Sequence, residues 1–80
     1  MWKEKNNALQ ATYKFKNLTE AFAFMTEVAF VSEKQNHHPD WSNVYNKVAF
    51  ELTTHDQDNT VTEKDRKLAK AIDLIFEKYT

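Results

Sequence analysis

From residue 9 to residue 15 apolar and polar residues alternate without a break. Leu9, Ala11, Tyr13 and Phe15 fall on one side, and Gln10, Thr12 and Lys14 on the other. A period of two marks a β-strand with one buried and one open face. Residues 2–6 read as a shorter strand before it, joined to it in a hairpin by the turn-prone pair Asn6 and Asn7. The period then changes. Leu18, Ala21, Phe22, Met25, Val28, Ala29 and Ser32 recur at helical spacing, which predicts a helix over about residues 18–33. Asn17 fits its N-cap, and Glu20 completes a capping-box-like pair.

This helix carries more apolar surface than one small sheet can cover, because Phe24 and Val31, and Phe30 with Ala23, lie outside the predicted stripe. The extra positions are either exposures tolerated beside a wide core face or part of a surface that meets another subunit. The modest core favours the subunit. Pro39 is expected to stop the helix, since it disfavours helical geometry at His38. Residues 40–45 and 48–53 follow as strands, with Val48, Phe50 and Leu52 alternating inward and Asn46 with Lys47 as the hairpin loop. A polar loop over residues 54–60 leads to Thr62 and Asp65, a second capping pair. The helix it opens has a regular stripe of Leu68, Ala71, Ile72, Ile75, Phe76 and Tyr79. The order strand, strand, helix, strand, strand, helix predicts an α+β fold: a four-stranded antiparallel sheet with two long helices packed on one face.

Eighty residues make a single domain with a small core, since a chain of this size buries only roughly 60–65% of its unfolded surface. The absence of cysteine excludes disulfides and thiolate zinc sites. The absence of glycine argues against phosphate-cradling loops and dinucleotide fingerprints, and leaves turns to Asn, Asp and Pro. Eleven basic against twelve acidic residues leave no surplus to neutralise a phosphate backbone, so direct nucleic-acid binding is not expected. No apolar run approaches membrane-spanning length, and a soluble cytoplasmic protein is the expectation.

The chemistry concentrates at His37 and His38, which stand beside the sole proline, Pro39, and close to Trp41. Pairing about the expected turn sets Asp40 roughly opposite Thr53, which brings His55 to the same end of the sheet. The residues by themselves leave three readings open. Paired histidines at a helix end can cap carbonyls and face water. They can bind a metal, although adjacent residues seldom aim both rings at one ion and the nearby carboxylates lack ligand spacing. Or they can carry acid/base chemistry in a cleft, with Trp41 as a flat apolar wall. On spacing alone Asp65 is a helix-start residue, Glu33 solvated helix surface and Trp41 core. No Ser or Cys nucleophile stands out.

Residues 33–48, Glu-Lys-Gln-Asn-His-His-Pro-Asp-Trp-Ser-Asn-Val-Tyr-Asn-Lys-Val, followed by Leu52, Thr53, Thr54 and His55, closely resemble the pterin-4a-carbinolamine dehydratase family. The resemblance extends through Phe22, Ala23, Phe24 and Met25 and into Thr62, Glu63, Lys64 and Asp65, covering nearly all the chain from Trp2. It implies a dehydratase that removes water from a 4a-hydroxytetrahydropterin to give the quinonoid dihydropterin, without metal or organic cofactor, in a homodimer or homotetramer. His37, His38 and His55 match the family's three active-site histidines. Asp65 matches its acid on the second long helix, and Glu33, Asn36, Pro39, Trp41, Thr53 and Thr54 match positions lining the pterin site. The chain departs from the family at Asn36, where many relatives carry Asp, at Ala49, where animal members are polar, and in a longer, glycine-free loop after His55. From the resemblance the chain is expected to start near the family's Trp-containing strand, without the helical segment of longer members. Some members also serve as a dimerisation cofactor for a transcription factor, so a protein-interaction module is the alternative, together with a pterin-binding role in molybdopterin metabolism.

Overall fold

The computed structural model describes residues 1–79. Strands β1 (Lys3–Lys5) and β2 (Ala8–Lys14) lead into helix α1 (Leu18–Gln35). Strands β3 (Asp40–Val44) and β4 (Lys47–Leu52) follow, and then helix α2 (Glu63–Phe76). Short 3₁₀ turns occupy His55–Gln57 and Glu77–Tyr79. The sheet is antiparallel throughout, in the order β1-β2-β4-β3, and both helices cover one face, as expected.

Leu9, Ala11, Tyr13 and Phe15 from β2 and its end, with Val48, Phe50 and Leu52 from β4, form the buried face of the sheet. Period-two alternation on two neighbouring antiparallel strands stacks these side chains in one layer. Rings dominate the layer: Phe15 and Phe24 lie 4.8 Å apart by ring centroid, and Tyr13 and Phe76 4.8 Å. The first pair is tilted and the second edge-to-face; edge-to-face pairs add about 0.5–1.5 kcal/mol beyond burial.

The rings also select which side of α1 turns inward. The buried residues are Ala21, Phe24, Val28 and Ser32, with Met25 and Val31 packed at the margin. Phe22 and Phe30 are 62% and 73% exposed, and Leu18 is half exposed. The helix is thus rotated from the expected stripe toward Phe24 and Val31. Its apolar residues wrap most of its circumference, so periodicity defines no single face, and contact with Phe15, Tyr13 and Phe50 decides. Phe22 and Phe30 are left on an outer surface with Leu18.

The β3–β4 turn also differs from expectation. Val44 pairs with Lys47, so the two-residue loop is Tyr45 and Asn46, with the positive φ (52°) on Tyr45. Asp40 therefore faces Glu51 and not Thr53. The reason is long-range. Asn46 is tied to the end of β2, its carbonyl accepting from the Phe15 N–H at 2.8 Å and its Nδ2 donating to the Phe15 carbonyl at 3.0 Å. Apart from Tyr45, the positive-φ positions among the described residues are Asn6, Asn7, Asn36, Asp58 and Asn59. Asn and Asp take the left-handed turns that a glycine-free chain cannot give to glycine.

Candidate active site

Asn36 ends α1 in a left-handed conformation (φ 53°, ψ 42°). Its N–H donates to the Glu33 carbonyl at 3.1 Å, and the His37 N–H donates to the Ser32 carbonyl at 3.0 Å. This pair of bonds is the Schellman closure. Asn36, and not Pro39, is therefore the stop, and the helix runs two residues past the expected end at Glu33. The closure turns His37 and His38 off the helix axis, and Pro39 then leads directly into β3.

On the other side of the cleft, β4 ends at Leu52 and the chain folds over itself. The Thr54 N–H donates to the Thr60 carbonyl at 2.9 Å, closing a loop whose 3₁₀ turn begins at His55. Asp58 and Asn59 make its left-handed bends. Beyond it, Thr62 caps α2 in a reciprocal capping box, with the Thr62 N–H donating to Asp65 Oδ2 at 2.8 Å. Both sequence-predicted capping pairs are present, since Asn17 Oδ1 accepts from the Glu20 N–H at 2.9 Å.

A cleft of about 460 Å³ opens where these pieces meet. His37, His38 and His55 all line it, together with Asn36, Pro39, Thr53 and Thr54. Asp40, Asp56 and Lys64 also line it and were not anticipated. Asp40 follows Pro39 directly, and Lys64 precedes Asp65 in the second cap; that adjacency was the available signal. Lys64 Nζ stands 3.8 Å from Asp56 Oδ2 at the rim.

Three predicted residues lie elsewhere. Trp41 packs its ring 5.5 Å from Phe50 and borders a different hollow, about 450 Å³, whose other side chains come mainly from the sheet's open face. Glu33 stays on the surface, where Oε1 lies 2.7 Å from His38 Nε2. Asp65 is 0% exposed and sits behind the cleft wall. Its Oδ1 lies 2.6 Å from His37 Nε2, and its Oδ2 accepts from the Thr54 hydroxyl at 2.7 Å. Burial is the largest influence on this carboxyl and opposes ionisation. Hydrogen bonds from His37, Thr54 and the Thr62 amide together outweigh it, and hold the acid below the usual carboxylate range.

Each imidazole is held by an oxygen. For His37 it is the buried carboxylate of Asp65, for His38 the exposed carboxylate of Glu33, and for His55 the amide Oδ1 of Asn59, 2.7 Å from Nδ1. An ionised carboxylate or an amide oxygen can only accept, so the ring nitrogen it meets carries the proton. The opposite nitrogen of a neutral ring then holds the lone pair: Nδ1 in His37 and His38, Nε2 in His55. Side-chain exposure ranks His37 (12%) well below His38 (57%). Among the described residues no group of three or more His, Asp or Glu side chains is arranged to hold a metal ion.

An α+β sheet-and-helix fold whose first helix and last strand deliver three oriented histidines to one cleft defines a class of site suited to proton transfer. The family description Pterin 4 alpha carbinolamine dehydratase matches residues 1–75, and the chain belongs to this family. A relative from Prochlorococcus marinus (strain NATL2A), provisionally named a pterin-4-alpha-carbinolamine dehydratase, is 53% identical over 75 residues, covering 94% of this chain and 78% of the relative. One from Christiangramia forsetii, with the same provisional name, is 47% identical over 76 residues, covering 95% and 77%. Among solved structures, a transcriptional coactivator/pterin dehydratase from Brucella melitensis superposes with a TM-score of 0.87 at 41% identity, over 92% of this chain and 80% of that one. A pterin dehydratase-like protein identified as a RuBisCO assembly factor in the alpha-carboxysome gives a TM-score of 0.76 at 21% identity, over 94% and 86%, which speaks for the fold alone. Among the described residues no helix is long and apolar enough to cross a membrane.

Proposed function

We propose that this protein dehydrates a 4a-hydroxytetrahydropterin to the quinonoid dihydropterin by histidine acid/base catalysis. One observation carries the reading: in a chain of the dehydratase family, three histidines line one cleft, each with a ring nitrogen fixed by an oxygen partner. In the reaction the C4a–O bond breaks and the hydroxyl departs as water after taking a proton. N5 gives up its proton, and its electron pair forms the new C=N bond. One acid and one base are needed, and imidazole supplies both near neutral pH. His37 and His55 are assigned as that pair, because they come from opposite sides of the cleft; the base takes the N5 proton on the lone pair of its open nitrogen, and the acid gives the hydroxyl a proton carried on its own open nitrogen. His38 orients the pterin. Asp65 does not reach the ligand; it holds His37 in one tautomer and is placed to balance positive charge on that ring during turnover.

The test is a stopped-flow dehydration assay on the wild type with His37→Ala and His55→Ala. Each variant should lose about 10²–10⁴-fold in turnover and keep most of its pterin affinity. Unchanged turnover in both variants would sink the assignment, and a wild type no faster than buffer would remove the dehydratase reading.

The outer surface of α1 favours self-association as a second property. Leu18, Phe22 and Phe30 stand exposed on one side of the helix, and the small core gains from a partner. The expected state is a homodimer or homotetramer joined through this surface. Light scattering should give a mass above 9.5 kDa that falls toward the single-chain value in Phe22→Glu,Phe30→Glu; a single-chain mass at every wild-type concentration refutes it.

A further inference from the structure

Thr54 reaches both halves of the histidine cleft. Its backbone closes the loop that carries His55: the N–H donates to the Thr60 carbonyl at 2.9 Å, and the carbonyl accepts from the Gln57 N–H at 3.2 Å. Its hydroxyl lies 2.7 Å from Asp65 Oδ2 and 2.6 Å from Thr62 Oγ1. The residue is 2% exposed, so although it borders the cleft its hydroxyl is committed to the protein interior.

We propose that Thr54 is a positioning residue: its single hydroxyl proton holds Asp65 so that His37 presents Nδ1 to the ligand, while its backbone holds the His55 loop. The direction of each hydrogen bond follows from counting protons. An ionised Asp65 has none to give, so the Thr54 hydroxyl donates to Oδ2. That uses the one proton Thr54 has, so in the 2.6 Å contact between the two threonines Thr62 is the donor. Thr62 Oγ1 in turn accepts from the Lys64 N–H at 3.3 Å, within the cap of α2. The chain therefore runs from the Lys64 amide through Thr62 and Thr54 to Asp65, each bond polarising the next. His37 Nε2 donates to the other carboxylate oxygen and closes it. With both oxygens satisfied and the first turn of α2 holding the carboxylate in place, the neutral His37 ring has one tautomer, with its lone pair on Nδ1. The capping box of a helix thus doubles as the orienting device of a proton-transfer group.

The kinetic part of this inference rests on the dehydratase reading, and the tautomer does not, so the two can fail separately. Thr54→Val keeps the shape of the side chain and removes the proton; Thr54→Ser keeps the proton and removes a methyl. With ¹⁵N-histidine labelling at alkaline pH, His37 in the wild type and in Thr54→Ser should show a protonated Nε2 and an unprotonated Nδ1. Thr54→Val should show averaged signals. In the dehydration assay Thr54→Val should lose about 10- to 100-fold in kcat with KM little changed, its pH profile should shift, and Thr54→Ser should recover most of the rate. If Thr54→Val keeps the wild-type nitrogen pattern and rate, the inference is overturned. If that variant does not fold, the wild-type spectrum decides alone: a proton on His37 Nδ1 overturns the donor order. A wild type with the expected tautomer and no dehydration removes the dehydratase reading and leaves the donor chain standing.

Discussion

Helix α2 carries two inward-turned carboxylates, and they serve different ends of the molecule. Asp73 lies near the helix C-terminus, where Oδ1 accepts from the Tyr13 hydroxyl at 2.5 Å and from Trp2 Nε1 at 3.2 Å. Asp65 lies in the first turn and accepts from His37, Thr54 and the Thr62 amide. Asp65 is fully buried and Asp73 half-buried, and each accepts from donors elsewhere in the fold. The difference lies in what the donors do next. Tyr13 and Trp2 spend their polar hydrogens on Asp73; the Tyr13 ring ends in the core among Phe50, Phe24 and Phe76, and the Trp2 ring packs at its margin against Tyr13 and Phe50. His37 spends one nitrogen on Asp65 and itself lines an open cleft. Burial and hydrogen bonding alone do not mark a functional carboxylate; a proton-transferring partner that lines a cleft does.

Replacing each acid in turn gives the sharpest test. Asp65→Ala should lower turnover by about 10²-fold or more, because His37 loses its orientation and a counter-charge. Asp73→Ala should leave kcat and KM close to wild type. Comparable rate losses in the two variants would dissolve the contrast. Asp73→Ala should instead cost about 1–3 kcal/mol of unfolding free energy, since it strands the Tyr13 hydroxyl in the core; urea unfolding reads this directly.

The two ends should also separate with pH. The Asp65 carboxyl is held below its ordinary value, so its contribution to stability is present above the unfolded pKa of about 3.9 and is lost as pH falls through the folded value. Tyr13 runs the other way. Burial first, and then the hydrogen bond to Asp73 and its charge, push the phenol well above its ordinary value. Its contribution is present below pH ~10 and declines as pH rises beyond it toward the folded value. Thermal unfolding across pH should therefore show an acid limb that flattens in Asp65→Asn and an alkaline limb that flattens in Tyr13→Phe. Limbs unchanged in these variants would place the titrations on other groups. The smallest effect belongs to the helix stop. Asn36→Ala puts a Cβ-bearing residue without a local hydrogen-bonding side chain at φ 53°, and should cost about 1 kcal/mol, whereas Asn36→Gly should be close to neutral in the same unfolding experiment.

Local patterns determined a good deal of this protein without help. The alternation of residues 9–15, the inward set Val48, Phe50 and Leu52, and both N-terminal caps depend on neighbours within a few positions, and each is present as read. Element order fixed the sheet-and-helix class, and residues 33–55 carried the family resemblance. Tertiary structure decided what depends on distant partners. It chose Phe24 over Phe22 as the buried ring of α1, because a helix apolar on most sides has no face of its own until a sheet presents one. It moved the β3–β4 turn by one residue, because Asn46 is bonded to Phe15, 31 positions away. It took Asp65, which spacing describes as a helix cap, and set it under His37 from 28 positions away, with a threonine from the end of β4 holding it there. Periodicity and capping are written within a few residues of chain; the orientation of an imidazole is written by whatever oxygen the folded chain brings to its other nitrogen.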